Sequence, residues 1–400
     1  MTDLLPDPPR AEVWATVISV DDHLVEPPHM FEGRLPARFA DRAPQVRETS
    51  RGAQYWFFDG EKHFQVGLNA MAGLPKSKLV EPLRFEHMRP GCWDIGARLA
   101  DMDLNGVWAS ANFPSALSGF CGTVYSRCSD PDLGHAVMRA YNDWLFEEWH
   151  GAAPERIVPL GITWLADPEL GAAEIRRNAE RGFTAVTLPE RPHLLGYPTL
   201  NSGYWDPIVA ACAETDTVVC LHVGSSGMME MPPDGPLVEY AATLFPMLSM
   251  WACADWLWSL LPVRYPTLRI AMSEGGLGWV PMLGDRLDFI YETSEHGRRH
   301  WDEHGDPDLR PSDLLRRNFW YCTIDDPSMW AVRDVIGVDR IMVEVDYPHA
   351  DSTWPNTQAT LRDHLGHLPV DDVAAVTHRN AAALFRHPLP PDPVPRPLHI

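Results

Sequence analysis

The chain has 400 residues, 45% apolar and 22% charged, the composition of a globular protein long enough to bury a substantial core. Its formal net charge of -22 at pH 7 repels nucleic-acid phosphates and anionic lipid, so neither is an expected partner. Seven cysteines form no C-x-x-C pair, and neither an apolar run of membrane-spanning length nor an export leader is evident, which makes a reducing cytoplasm the expected location.

In chain order, short apolar or β-branched runs alternate with amphipathic stretches, the pattern of a parallel α/β fold. The first run, 17–20, leads into Asp21-Asp22-His23-Leu24-Val25-Glu26, where alternation along a strand puts Asp21 and His23 on one face. Residues 24–92 then read as an insertion, with a hairpin around Asp59-Gly60 between Tyr55 and Lys62, before a helix predicted over 94–104. Further strands are predicted at 106–111, 156–162, 183–188, 217–223, 268–272, 319–324 and 340–345, with helices over 134–150, 168–181, 204–214 and 280–292. These β/α units predict a (β/α)8 TIM barrel over residues 1–386. The insertion after strand 1 and the Gly-, Met- and Pro-rich loop expected over 224–244 fall on its C-terminal mouth, where either can serve as a lid. Residues 248–262 read as a buried helix, and the proline-rich stretch 387–400, which can form neither helix nor central strand, as a tail or an arm wrapped on a neighbour.

Four strand ends carry groups suited to a metal. Beside Asp21 and His23, the fifth strand delivers His222, the sixth Glu274 before Gly275-Gly276, and the eighth Asp346 in Asp346-Tyr347-Pro348-His349. A barrel gathers such ends at one mouth by construction. Glu26 reads either as a further ligand or as a partner that orients His23, His349 as a ligand to a second metal, a substrate contact or a residue that packs in its loop, and His193 as a weaker candidate. The tryptophans Trp56, Trp93, Trp108, Trp279 and Trp354 either line an apolar substrate pocket or fill gaps between helices and barrel. No nucleotide or dinucleotide cofactor fingerprint is present, and Ser225-Ser226 are not in nucleophile-elbow order.

Asp-x-His on strand 1, the strand-5 His, Ser273-Glu274-Gly275-Gly276 and Asp346-Tyr347-Pro348-His349 together resemble the amidohydrolase-related family, which includes the aminocarboxymuconate-semialdehyde decarboxylase-like enzymes. Asp101-Met102-Asp103, Tyr204-Trp205-Asp206-Pro207 and Arg379-Asn380-Ala381 extend the resemblance. It implies that Asp21, His23, His222 and Asp346 are metal ligands and that Asp346 is also the catalytic acid/base. The chain departs from the family's frequent His-x-His and strand-6 His at Asp21 and Glu274, and it has no lysine near the end of strand 4 to bridge two metals. The expected site is therefore Asp21, His23, Glu26, His222, Glu274 and Asp346 around one or two divalent ions, with Asp346 and His349 catalytic. An oxygen-rich set favours Mn or Fe, with Zn also compatible. The leading expectation is hydrolysis of an amide, ester or thioester in a largely apolar small molecule. Non-oxidative decarboxylation, or oxygen activation at Fe or Mn, are the alternatives, and a homodimer is expected. A catalytically silent barrel is disfavoured by the intact ligand set.

Overall fold

The computed structural model describes residues 4–394, except 76–80, 116, 228, 230–231, 233, 305–307 and 324–325. Parallel strands follow one another as β1 (Ile18–His23), β5 (Ala109–Phe113), β6 and β7 (Ile157–Val158, Leu160–Gly161), β8 (Ala185–Thr187), β9 (Val218–His222), β10 (Ile270–Ser273), β11 (Phe319–Thr323) and β12 (Ile341–Val343). Pro159, which has no N–H to donate, divides one predicted strand: Val158 pairs with β5 and Leu160 with β8. On the other side, Asp346 N donates to Asp21 O at 3.0 Å and His23 N to Tyr347 O at 2.7 Å, which joins β1 to the end of β12. The result is the (β/α)8 arrangement, its strands lined inside by Ile18, Val20, Ala109, Ala111, Val218, Cys220, Ala271, Cys322 and Met342.

Several strands begin or end one to three residues away from their sequence-predicted limits. Gly106, for example, is not in β5. It adopts φ 72° and closes the helix Ile95–Asn105, whose N-cap is Asp94. The helix Pro168–Arg181 has the predicted bounds, while that from Pro131 to Trp144 continues as a π turn, Leu145–His150. Of the loop expected over 224–244, residues 228, 230–231 and 233 lie outside the described residues, and from Leu237 the chain is instead a 22-residue helix, Leu237–Trp258, with Pro246 inside it. Its continuation past Trp258 turns at Leu260, so 248–262 is not one helix.

The insertion holds a three-stranded antiparallel sheet, β2 (Gln45–Glu48), β3 (Gln54–Phe58) and β4 (Glu61–Gln65). Asp59 and Gly60 both have positive φ, 52° and 81°, as a two-residue hairpin turn matched to strand twist requires. Past this sheet, Met71 N and Ala72 N both donate to Pro348 O, so the insertion is seated on the loop that follows β12. At the opposite end of the barrel, the proline-rich stretch crosses β1, with Thr16 N donating to Val394 O and Val394 N to Thr16 Oγ1.

Candidate metal and catalytic site

At the C-terminal mouth, β1, β9, β10 and the turn after β12 bring Asp21, His23, His222, Glu274, Asp346 and His349 together. The Nε2 atoms of His23 and His222 lie 3.0 Å apart. His222 Nδ1 sits 2.7 Å from the Val223 carbonyl, which places the proton on Nδ1 and leaves a lone pair on Nε2. Asp21 Oδ1 is 3.5 Å from His23 Nε2, and Oδ2 is 3.8 Å from His222 Nε2. Asp346 Oδ1 lies 3.5 Å from His23 Nε2 and 2.9 Å from His349 Nδ1, and the His349 ring stacks on His23 at 3.9 Å. Glu274 presents Oε2 at 3.1 Å from His222 and Oε1 at 3.9 Å from His349.

The electrostatics of this group call for added positive charge. Asp21 and Asp346 are wholly buried; neither Asp21 oxygen nor Asp346 Oδ2 has a hydrogen-bond partner, and Asp346 Oδ1 meets only histidine nitrogens, His349 Nδ1 at 2.9 Å among them. Burial, then repulsion from Glu344, Asp346 and Glu274, holds the Asp21 carboxyl well above its ordinary range. Burial does the same to Asp346 against the opposing pull of His349. Burial also pushes His23 and His222 down, toward the neutral form that ligates a cation. His349 goes the other way: burial alone would lower it, but Asp346 and Glu274 push it up to about 10. Buried carboxylate oxygens without donors, facing imidazole lone pairs, fit a divalent transition-metal ion.

The backbone supports this geometry at a cost. Glu274 and Asp346 are non-glycine residues at φ 57° and 59°, a left-handed conformation costing about 1–3 kcal/mol each. Glu344 anchors the first of them, its carboxylate accepting from Glu274 N at 3.1 Å and from the Cys322 thiol. Asp22, between Asp21 and His23, accepts from Ser19 Oγ and Tyr347 N and so pins β1 to the Asp346 turn.

Among the remaining sequence candidates, Glu26 is buried but turned to Ser115, accepting from its backbone N at 3.0 Å and from its hydroxyl. His193 is exposed on a 3-10 turn, Pro192–Leu195, and is not in either group of possible ligands. The tryptophans do not line the cleft above the histidines. That narrow space is bounded by His23, Leu24, Val25, Leu68, Asn69, Ser115, Phe120, Pro348 and His349. Trp108 instead donates to Pro388 O at the far end of the barrel, and Trp279 donates to Gly275 O beneath the strand-6 turn.

Arg98 is a site residue that the sequence reading missed. It is fully buried and donates to the His23 carbonyl and to Gly91 O, with its guanidinium 4.3 Å from the Tyr347 ring centroid. A signal was present: buried positions 98, 101, 102 and 105 form one helical stripe, and two of them, Arg98 and Asp101, are charged. Asp101 in turn accepts from Arg89 Nε and Nη2 and from the Tyr347 hydroxyl.

The sequence profile described as amidohydrolase matches residues 37–387, most of the chain. The chain belongs to the amidohydrolase family. It is an enzyme of that metal-dependent superfamily. Solved structures share the fold across nearly their whole length. An amidohydrolase from Mycobacterium avium subsp. paratuberculosis K-10 superposes with a TM-score of 0.69 at 21% identity, covering 94% of this chain and 100% of that one. The 5-carboxyvanillate decarboxylase of Sphingomonas paucimobilis gives 0.62 at 20% identity, covering 94% and 100%. That of Novosphingobium aromaticivorans, complexed with manganese and 4-hydroxy-3-methoxy-5-nitrobenzoic acid, gives 0.64 at 19% identity, covering 96% and 99%.

Proposed function

We propose that this amidohydrolase-family protein is a metal-dependent non-oxidative decarboxylase of a small aromatic carboxylic acid. The observation that carries the reading is the Asp346–His349 contact of 2.9 Å placed directly against His23, a proton-carrying pair beside a metal-binding group. Similarity to two decarboxylases over almost their full length favours this chemistry over the acyl-bond hydrolysis expected from the sequence.

Asp21, His23 and His222 would hold the metal, with manganese the ion found in one of the similar structures. A bound dication supplies fixed positive charge for a substrate carboxylate and a neighbouring oxygen. Leu24, Val25, Leu68, Phe120 and Pro348 line the cleft with apolar groups, and Asn69 and Ser115 add polar ones. The carbon–carboxylate bond breaks with its electron pair staying on the ring carbon, carbon dioxide leaves, and Asp346 delivers a proton to that carbon. His349 then returns a proton to Asp346.

The test is a panel of ortho-hydroxybenzoates with manganese-loaded protein in D2O, set beside p-nitrophenyl esters and thioesters. Release of carbon dioxide with one deuterium at the former carboxyl carbon is expected. Ester or thioester turnover without carbon dioxide release from any acid would overturn the reading in favour of hydrolysis.

A further inference from the structure

We propose that Ser115, its hydroxyl held by the buried Glu26, meets the substrate only as a hydrogen-bond acceptor, so that the substrate carries a hydroxyl or amino group on the ring edge that faces Ser115. This rests on the reading that the cleft beside His23 takes a small aromatic acid.

Glu26 is wholly buried, and Ser115 engages both of its oxygens: Oε1 accepts from the Ser115 backbone N at 3.0 Å and Oε2 from the Ser115 hydroxyl. Burial pushes the Glu26 carboxyl up to about 7, against the pull of those two bonds. Other donors stand near it. Burial, then the charge of Glu26, holds the buried Tyr125 and Tyr141 hydroxyls well above their ordinary range, yet neither hydroxyl has a hydrogen-bond partner. The carboxylate is therefore aimed at Ser115 in preference to both tyrosines. A buried carboxylate is costly to keep and gives a core nothing that an apolar side chain would not. Its effect here is directional.

A serine hydroxyl has one proton and two lone pairs. The other polar groups of Ser115 are committed, its N–H to Glu26 and its carbonyl to Ser118 Oγ and Phe120 N, each at 3.3 Å. With the hydroxyl proton also on Glu26, only lone pairs of Oγ are left for the cleft, whose wall Ser115 forms together with Leu24, Val25, Asn69 and Phe120. A ring substituent placed there is paired if it donates, as a hydroxyl or an amine does. A methoxy group or a second carboxylate sets oxygen against oxygen and leaves acceptors unpaired away from water. Glu26 is thus a positioning residue that acts through Ser115.

The experiment measures dissociation constants of matched hydroxy- and methoxybenzoates, ortho, meta and para, on the full-length Mn-loaded protein by calorimetry at about pH 8.5, where Glu26 is ionised. At one ring position the hydroxy compound is expected to bind about 10–100-fold more tightly than its methoxy counterpart. In Glu26→Gln the amide oxygen keeps the Ser115 N–H, which turns the amide NH2 onto Ser115 Oγ and frees the hydroxyl proton for the cleft. The preference should then fall to within about threefold or reverse, although the cleft keeps its shape. A preference unchanged in Glu26→Gln is one of size alone and overturns the inference, as do equal wild-type affinities at every ring position. Ser115→Ala should abolish the preference and decides the matter if Glu26→Gln fails to fold, since a preference that survives it excludes Ser115 as its source. Decarboxylation of hydroxy and methoxy acids bound equally well overturns the role of Ser115 and leaves the proposed function standing. Failure of every benzoate to bind overturns the aromatic-acid reading, and this inference with it.

Discussion

Arg98 acts on the group proposed to hold the metal without touching any of its side-chain atoms. Its fork holds the His23 carbonyl and Gly91 O, and stacking on Tyr347 keeps the guanidinium flat against the residue that follows Asp346. It therefore fixes the backbone of two site residues at once. A lysine has one point charge and no planar fork, so it cannot hold both carbonyls in this geometry. Arg98→Lys should weaken Mn binding about 10–100-fold, the range for partners that orient ligands. Competition with a chromophoric chelator measures it, and unchanged affinity would show that β1 holds His23 alone. The same residue marks a limit of reading a sequence. Asp21, His23, His222, Glu274 and Asp346 were legible because each follows an apolar run at a strand end. Arg98 lies mid-helix, far in sequence from what it holds. Glu26 shows the converse, since Ser115, the residue that engages both its oxygens, carries no local signal of doing so.

At the level of elements, the helix Leu237–Trp258 passes close to the end of β10. A Cβ added at Gly275 would stand 2.1 Å from Ser249 Oγ and 2.2 Å from Ser249 Cβ. Contact this close leaves room only for glycine, and it lies one residue beyond Glu274. Gly275→Ala should cost about 1–3 kcal/mol through overpacking, and Ser249→Gly in the same chain should recover part of the loss because it removes both clashing atoms. Urea midpoints of the two single variants and the double variant check this, and strict additivity would refute it. The first turns of this helix read as loop because the stretch 224–244 is rich in Gly, Met and Pro. In the structure Pro246 falls within a helix whose later turns bury Leu248, Ala252, Cys253, Trp256 and Leu257, so packing outweighs the local cost of proline. The hairpin at Asp59-Gly60 was legible for the opposite reason: both turn positions require positive φ, and local chemistry alone specifies them.

Across the whole molecule, chemistry and closure occupy opposite ends of the barrel. The candidate ligands, the insertion and the cleft lie at the C-terminal ends of the strands, while the proline-rich segment crosses the N-terminal end of β1. There Thr16 exchanges two hydrogen bonds with Val394, Trp108 Nε1 donates to Pro388 O at 3.1 Å, and Leu389 packs on the barrel's inner apolar cluster. No helix of the described residues is long and apolar enough to cross a membrane, and the most apolar one is committed to packing at the strand-6 turn. The tail was expected from its prolines, but its docking depends on partners hundreds of residues away that composition does not reveal. Hydrogen bonds of this kind contribute about 0.5–1.5 kcal/mol each, so ending the chain at His387 should lower unfolding stability by about 2 kcal/mol. Mn stoichiometry and affinity should stay at wild-type values, because residues at this end of a (β/α)8 barrel serve stability rather than chemistry. Denaturant unfolding and Mn titration of the shortened chain measure the two quantities separately. Loss of metal with unchanged stability would mean that the tail acts on the mouth through the length of β1, and the division between the two ends would fail.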